Sequence, residues 1–120
     1  MDQKKSRKIQ EIKRKLLEKL REERAFWSYS VEATDGNDIT DDQLIALTMR
    51  HLDLPEINML FQIYSLPKIK NAWKKILVPE GAYLYTLNRF FAWYYFKAKR
   101  PDTYLKSLET RQLNHNLSSL

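Results

Sequence analysis

No cysteine occurs among the 120 residues, which removes disulfides, thiolate zinc sites and cysteine nucleophiles together and suits a reducing compartment. Glycine occurs twice and proline four times, too few for tight β-hairpins, flexible linkers or a glycine-cradled phosphate loop. The longest apolar run, around Phe90 to Phe96, is far short of the roughly 20 residues that span a bilayer, so no transmembrane helix and no membrane partner is expected. The start, Met1 to Lys8, is charged, with no apolar signal-peptide core behind it. The sequence therefore reads as soluble and cytoplasmic, and the glycosylation-like triplet Asn116-Leu117-Ser118 is given no weight.

What remains is 43% hydrophobic and 12% aromatic, enough to close one modest core. One helical domain over 1–120 is expected, with an amphipathic basic N-terminal helix (1–24), a helical core (25–112) and a flexible polar tail (113–120). The net charge of +6 is laid out in blocks, basic to residue 24, acidic to residue 67, then basic again. Such blocks attract a polyanion or an oppositely patterned protein, or satisfy one another within the fold.

Ile9, Ile12, Leu16, Leu17 and Leu20 recur at steps of three and four among Lys, Arg and Glu, the pattern of an amphipathic helix with a narrow apolar stripe. Ile9, Ile12, Leu16 and Leu20 are accordingly a candidate surface for a partner helix or a face that packs on the chain's own domain, and a homo-oligomer is left open. Lys19 interrupts the heptad, so a long coiled coil is not expected. Phe26, Trp27 and Tyr29 precede the main loop, Thr34 to Asp38. The acids from Asp35 to Asp42 lack the alternating ligand spacing of a calcium loop. Asp41 and Asp42 instead suit a first helical turn. Thr40 reads as its N-cap, Gln43 completes a capping box, and Ile39 and Leu44 are placed as a hydrophobic staple.

That helix should end near Leu52. Asp53, Leu54 and Pro55 then open another to Tyr64, and Ser65 caps a third that carries Ile69, Ala72, Trp73, Ile76 and Leu77. At 100° per residue those five share one face, leaving Lys68, Lys70, Asn71, Lys74 and Lys75 on the other. Two short helices with a basic outer face, residues 55–77, resemble a helix-turn-helix reader in layout. The face has lysines, which mostly touch phosphate, and one base-reading amide, Asn71.

After Val78 to Gly81, a helix from about Ala82 to Lys99 is apolar almost all round, apart from Thr86, Asn88 and Arg89. It is expected at the centre of the fold. The competing reading is a stacking platform for single-stranded nucleic acid, made of Phe90, Phe91, Trp93, Tyr94, Tyr95 and Phe96 beside Lys97, Lys99 and Arg100. Pro101 ends the helix, and a short last helix from Asp102 precedes a loose tail from about Asn114. The expected class is all-α, a compact bundle of about five to six helices.

No catalytic apparatus is legible. Of the two histidines, His115 lies in the tail, and His51 stands beside Asp53 and Glu56 at a helix junction whose capping already employs the acids. No nucleotide fingerprint, metalloprotease helix or nucleophile elbow occurs. The expectation is a non-enzymatic binding protein with no cofactor and no metal. A nucleotide-handling enzyme would need a pocket around His51 or Arg89.

In order along the chain, Phe26-Trp27 with Tyr29, then Ile57, Leu60-Phe61 and Tyr64, Lys68-Ile69-Lys70 with Trp73, and the Phe90 to Phe96 block resemble small helical bacterial proteins encoded beside AbiEii-type nucleotidyltransferase toxins. The resemblance covers roughly residues 20–106 and consists mostly of apolar spacing. It implies an antitoxin-like or accessory role, with a nucleotidyltransferase toxin as the partner, and carries no catalytic residues. The winged helix-turn-helix of that system's antitoxins has no counterpart here, because wing strands are missing from the pattern.

Overall fold

A computed structural model describes residues 2–23 and 39–118, with side chains for 5–23 and 39–111. The aromatic run from Phe26, the main loop and the acids Asp35 and Asp38 lie outside the described residues, as does any reading of them. Among the described residues every regular element is helical, in agreement with the all-α expectation. The chain divides into two compact units, 1–69 and 70–120, inside the single span that the sequence suggests.

In the first unit, α1 (Asp2–Glu22) packs on α2 (Asp41–His51) and α3 (Leu54–Ile63). The start of α2 follows from local chemistry. The Gln43 amide donates to Thr40 Oγ1 at 3.1 Å and the Thr40 amide to Gln43 Oε1 at 3.0 Å, so two of the helix's orphan donors are satisfied reciprocally. Asp53 takes the N-cap position of α3 without a side-chain bond, and Pro55 follows in the first turn, where a missing N–H costs nothing. Leu44 to Met49 are all buried, six consecutive residues, so α2 is enclosed round its whole circumference. Thr48 Oγ1 is buried there with no hydrogen-bond partner among the described residues.

Helix α4 (Leu66–Ala72) begins where Ser65 Oγ accepts from the Lys68 amide at 3.3 Å, and the division between the units falls within it, after Ile69. The backbone then changes winding. Trp73–Leu77 is a π-helical segment and Val78–Leu84 a 3-10 segment broken by Gly81, whose φ of 60° and ψ of −130° suit a residue without a Cβ. Helix α5 (Tyr85–Tyr94) and α6 (Pro101–Ser118) complete the second unit and pack on each other and on the 3-10 segment.

Buried Asn88 bridges the two ends of the π segment. Its Oδ1 accepts from Trp73 Nε1 at 3.0 Å, at the start of the π segment, and its Nδ2 donates to the Leu77 carbonyl at 3.0 Å, at the end. One amide thus spans the widened turn and satisfies a carbonyl freed by it. Trp73 is fully buried, with Phe96 at 4.7 Å and Tyr104 stacked at 6.4 Å between ring centroids.

Three sequence expectations change. The aromatic helix is shorter at both ends than 82–99, and only Asn88, Phe91 and Ala92 of α5 are buried, so it is not an enclosed central helix; α2 is. Its C-terminus is set by Lys97, in the left-handed region at φ 58°, while the Ala98 amide reaches back to the Ala92 carbonyl at 2.9 Å. Finally, α6 runs 18 residues to Ser118, so the backbone of 113–118 is helical where a loose tail is expected from the polar composition.

Candidate functional site

The N-terminal stripe is turned inward. Ile12, Leu16 and Leu20 are buried and Ile9 half-buried, on a helix that packs against α2 and α3. Of the two expectations for the stripe, packing on its own domain is the one observed, and the partner seam is corrected, because the same atoms cannot be removed from water twice. The polar side of α1 is laced by exposed i,i+4 pairs, Arg14–Glu18 at 3.5 Å and Lys15–Glu11 at 3.6 Å. Lys13 Nζ lies 3.2 Å from Asp41 Oδ1, which also accepts from Tyr64 Oη at 2.6 Å. The tyrosine bond first, and Lys13 with it, hold the Asp41 carboxyl below its ordinary value, while burial and that carboxylate push the Tyr64 phenol up.

The basic face of 68–75 is not one face. Lys68 belongs to the first unit and pairs with Asp42 at 3.1 Å. In the second unit, Lys70 Nζ lies over the rings of Tyr104 at 5.4 Å and Phe96 at 5.9 Å, within cation–π range. Asn71 and Lys75 are exposed, but Lys74 and Lys75 stand on the π segment, where the 100° periodicity that aligned them with Lys70 no longer holds. As an α-helix, α4 has seven residues.

His51 is exposed in outline, yet burial of part of its ring and the neighbouring Arg50 lower its pKa. Among the described residues no three His, Asp or Glu side chains come together as a metal site.

Helix α5 of the second unit presents the surface that the sequence reading set aside. Trp93 is 57% exposed and Tyr94 43% exposed, and half-buried Phe90 lies between them. Phe90 and Tyr94, one turn apart, stack at 5.2 Å and 13°, and Trp93 stands 6.3 Å from Phe90 and 6.0 Å from Tyr94. Phe90 and Trp93 border an open groove of about 570 Å³ that is lined also by Thr86, Arg89, Lys99 and Pro101. Along one edge, Asp102 Oδ1 accepts from Tyr85 Oη and from Arg89 Nε, the latter at 3.0 Å. The Tyr85 bond first and Arg89 second keep the Asp102 carboxyl low, and the same bond raises the Tyr85 phenol.

The turn after α5 exposes Lys97, Lys99 and Arg100, of which Lys99 lines the groove, and none of the three forms an ion pair with a described carboxylate. Charge is distributed to match. Residues 70–120 hold nine Lys/Arg against three Asp/Glu, so the chain's net charge of +6 lies entirely there, while residues 1–69 hold twelve of each. The sequence signals for this site are Arg89 within an apolar helix and three cations directly after it. The Tyr85–Asp102–Arg89 group escapes a sequence reading because it joins two helices. No family model, curated protein or solved structure matches the chain.

Proposed function

We propose that this chain is a binding protein whose working surface is the exposed aromatic and cationic side of α5 in the second unit. The single observation that carries this reading is the contiguous trio of Phe90, Trp93 and Tyr94, two of them substantially exposed, with Phe90 and Trp93 on a groove and, in the following turn, cations that no described carboxylate pairs. Large rings left in water cost the fold apolar burial, and clustered exposure of this kind marks interaction surfaces. Groups that would support catalysis are sparse at the site. Asp102 is held ionised by two donors and sits in water, which suits neither a general acid nor a base poised near neutral pH.

The resemblance supplies a concrete partner. In its antitoxin-like form, the proposal is that a nucleotidyltransferase toxin is contacted directly or through what both proteins bind. Co-expression with such a toxin tests it: the expected result is a co-purifying complex and relief of toxicity, both lost in the double variant Trp93→Ala, Tyr94→Ala. No complex and no relief removes the antitoxin-like role, and a complex that survives the double variant removes the α5 surface.

The second reading, a DNA-binding regulator working through residues 55–77, is favoured by the exposed Asn71 and Lys75. It is weakened by the engagement of Lys68 with Asp42 and of Lys70 with two rings. Binding to its own upstream DNA that is lost on Lys74→Glu and is steeply salt-dependent supports it.

A further inference from the structure

We infer that the α5 surface takes single-stranded nucleic acid, with bases stacked on Trp93 and Tyr94 and phosphates held by Lys97, Lys99 and Arg100; this rests on the reading of that surface as the working one. Three properties of the site agree on the occupant. The rings are neighbours at 5.2 to 6.3 Å and two are solvent-exposed, so they can receive unstacked planar groups. The cations follow in the very next turn of chain, Lys97 to Arg100, with no described carboxylate paired to them, so a phosphate backbone beside the bases meets free positive charge. The groove between contains Thr86 and Arg89, and Asp102 engages one of Arg89's five N–H donors, which leaves polar groups for base edges.

The same features discriminate against other occupants. A duplex keeps its bases stacked inside and offers the rings nothing planar, whereas single strands are bound through such faces without regard to sequence. An acidic protein segment satisfies the cations and leaves the rings uncovered. A hydrocarbon surface would cover the rings, but it would have to take in the Arg89–Asp102 pair beside Trp93, both partners of which are charged.

The test is fluorescence anisotropy with a labelled oligothymidylate of about ten nucleotides, within the range of small single-strand sites. Its controls are the same sequence as a duplex, polyglutamate as a competitor, and phosphatidylcholine vesicles containing phosphatidylserine. The expected result is preference for the single strand over the duplex, a loss of about tenfold in affinity for Trp93→Leu or Tyr94→Leu, and a salt slope near two that falls when Lys99 and Arg100 are changed to Glu. Leucine keeps apolar volume at these exposed positions, and an unchanged helical circular dichroism spectrum confirms folding. The inference is overturned by absent binding, equal duplex binding, competition by polyglutamate as strong as by unlabelled oligonucleotide, or affinity indifferent to Trp93 and Tyr94. Vesicle binding in place of oligonucleotide binding also overturns it. None of these results touches the toxin complex, whose loss in the double variant stands or falls separately.

Discussion

The two units handle the same raw materials, amphipathic helices and abundant charge, in opposite ways. In residues 1–69 cations and acids are equal in number and are seen paired across elements, Lys13 with Asp41 and Lys68 with Asp42, and the apolar stripe of α1 is buried. In residues 70–120 cations outnumber acids threefold, and the helix richest in aromatics leaves Trp93 and Tyr94 in water. An element whose groups are satisfied internally has little left with which to recognise anything. We take the difference as support for the proposal that recognition lies in the second unit.

The comparison breaks most visibly through core truncation. Leu16→Ala should cost about 3 to 5 kcal/mol in denaturant unfolding, because a fully buried leucine leaves a cavity. A loss below about 1 kcal/mol would return the α1 stripe to the list of free surfaces. Asn88→Ala should cost about 1 to 3 kcal/mol, since it strands both the Trp73 indole N–H and the Leu77 carbonyl in a buried place. If the amide alone enforces the π segment, the variant's hydrogen exchange should accelerate first at 73–84. Lys97→Gly acts in the other direction. It relieves a left-handed lysine and should stabilise by about 1 kcal/mol, while removing one cation from the proposed phosphate track.

A smaller effect separates the units by pH. Asp41 titrates below its ordinary 3.8 in the fold, so its contribution is present above that value and is lost as pH falls through the folded pKa. Asp41→Asn should therefore lower stability at neutral pH, by at most about 1 kcal/mol because the groups are partly exposed, and flatten the decline in acid below about pH 4. Unchanged acid sensitivity in the variant would mean that this network does not hold the first unit. Smallest of all, Trp93→Ala should shift stability by less than about 0.5 kcal/mol, as expected of a side chain more than half in water. A loss comparable to that of Leu16→Ala would make Trp93 a core residue and erase the contrast.

Local signals carry the described helix boundaries of the first unit. Thr40 and Gln43 stand three apart with an apolar residue on either side, and Pro55 opens the next helix, so helix boundaries follow from groups adjacent in sequence. The second unit depended on partners far apart in the chain. Nothing between Trp73 and Leu77 announces a π segment, because the residue that spans it, Asn88, lies 15 positions from Trp73. The helix of aromatics misleads for a related reason. An apolar circumference states what a helix could bury, whereas its burial is decided by whether neighbours exist on each side, and the buried residues of α5, Asn88, Phe91 and Ala92, fall on one side. The cations after it are visible as residues, but that no described carboxylate pairs with them is a property of the folded chain.

The account rests on recognition being confined to the second unit, and backbone amide NMR during titration with the oligothymidylate tests that directly. Shifts concentrated in 83–102, with α1 to α3 unmoved, are the predicted result. Shifts concentrated on the α1 stripe or around Lys68 would contradict it.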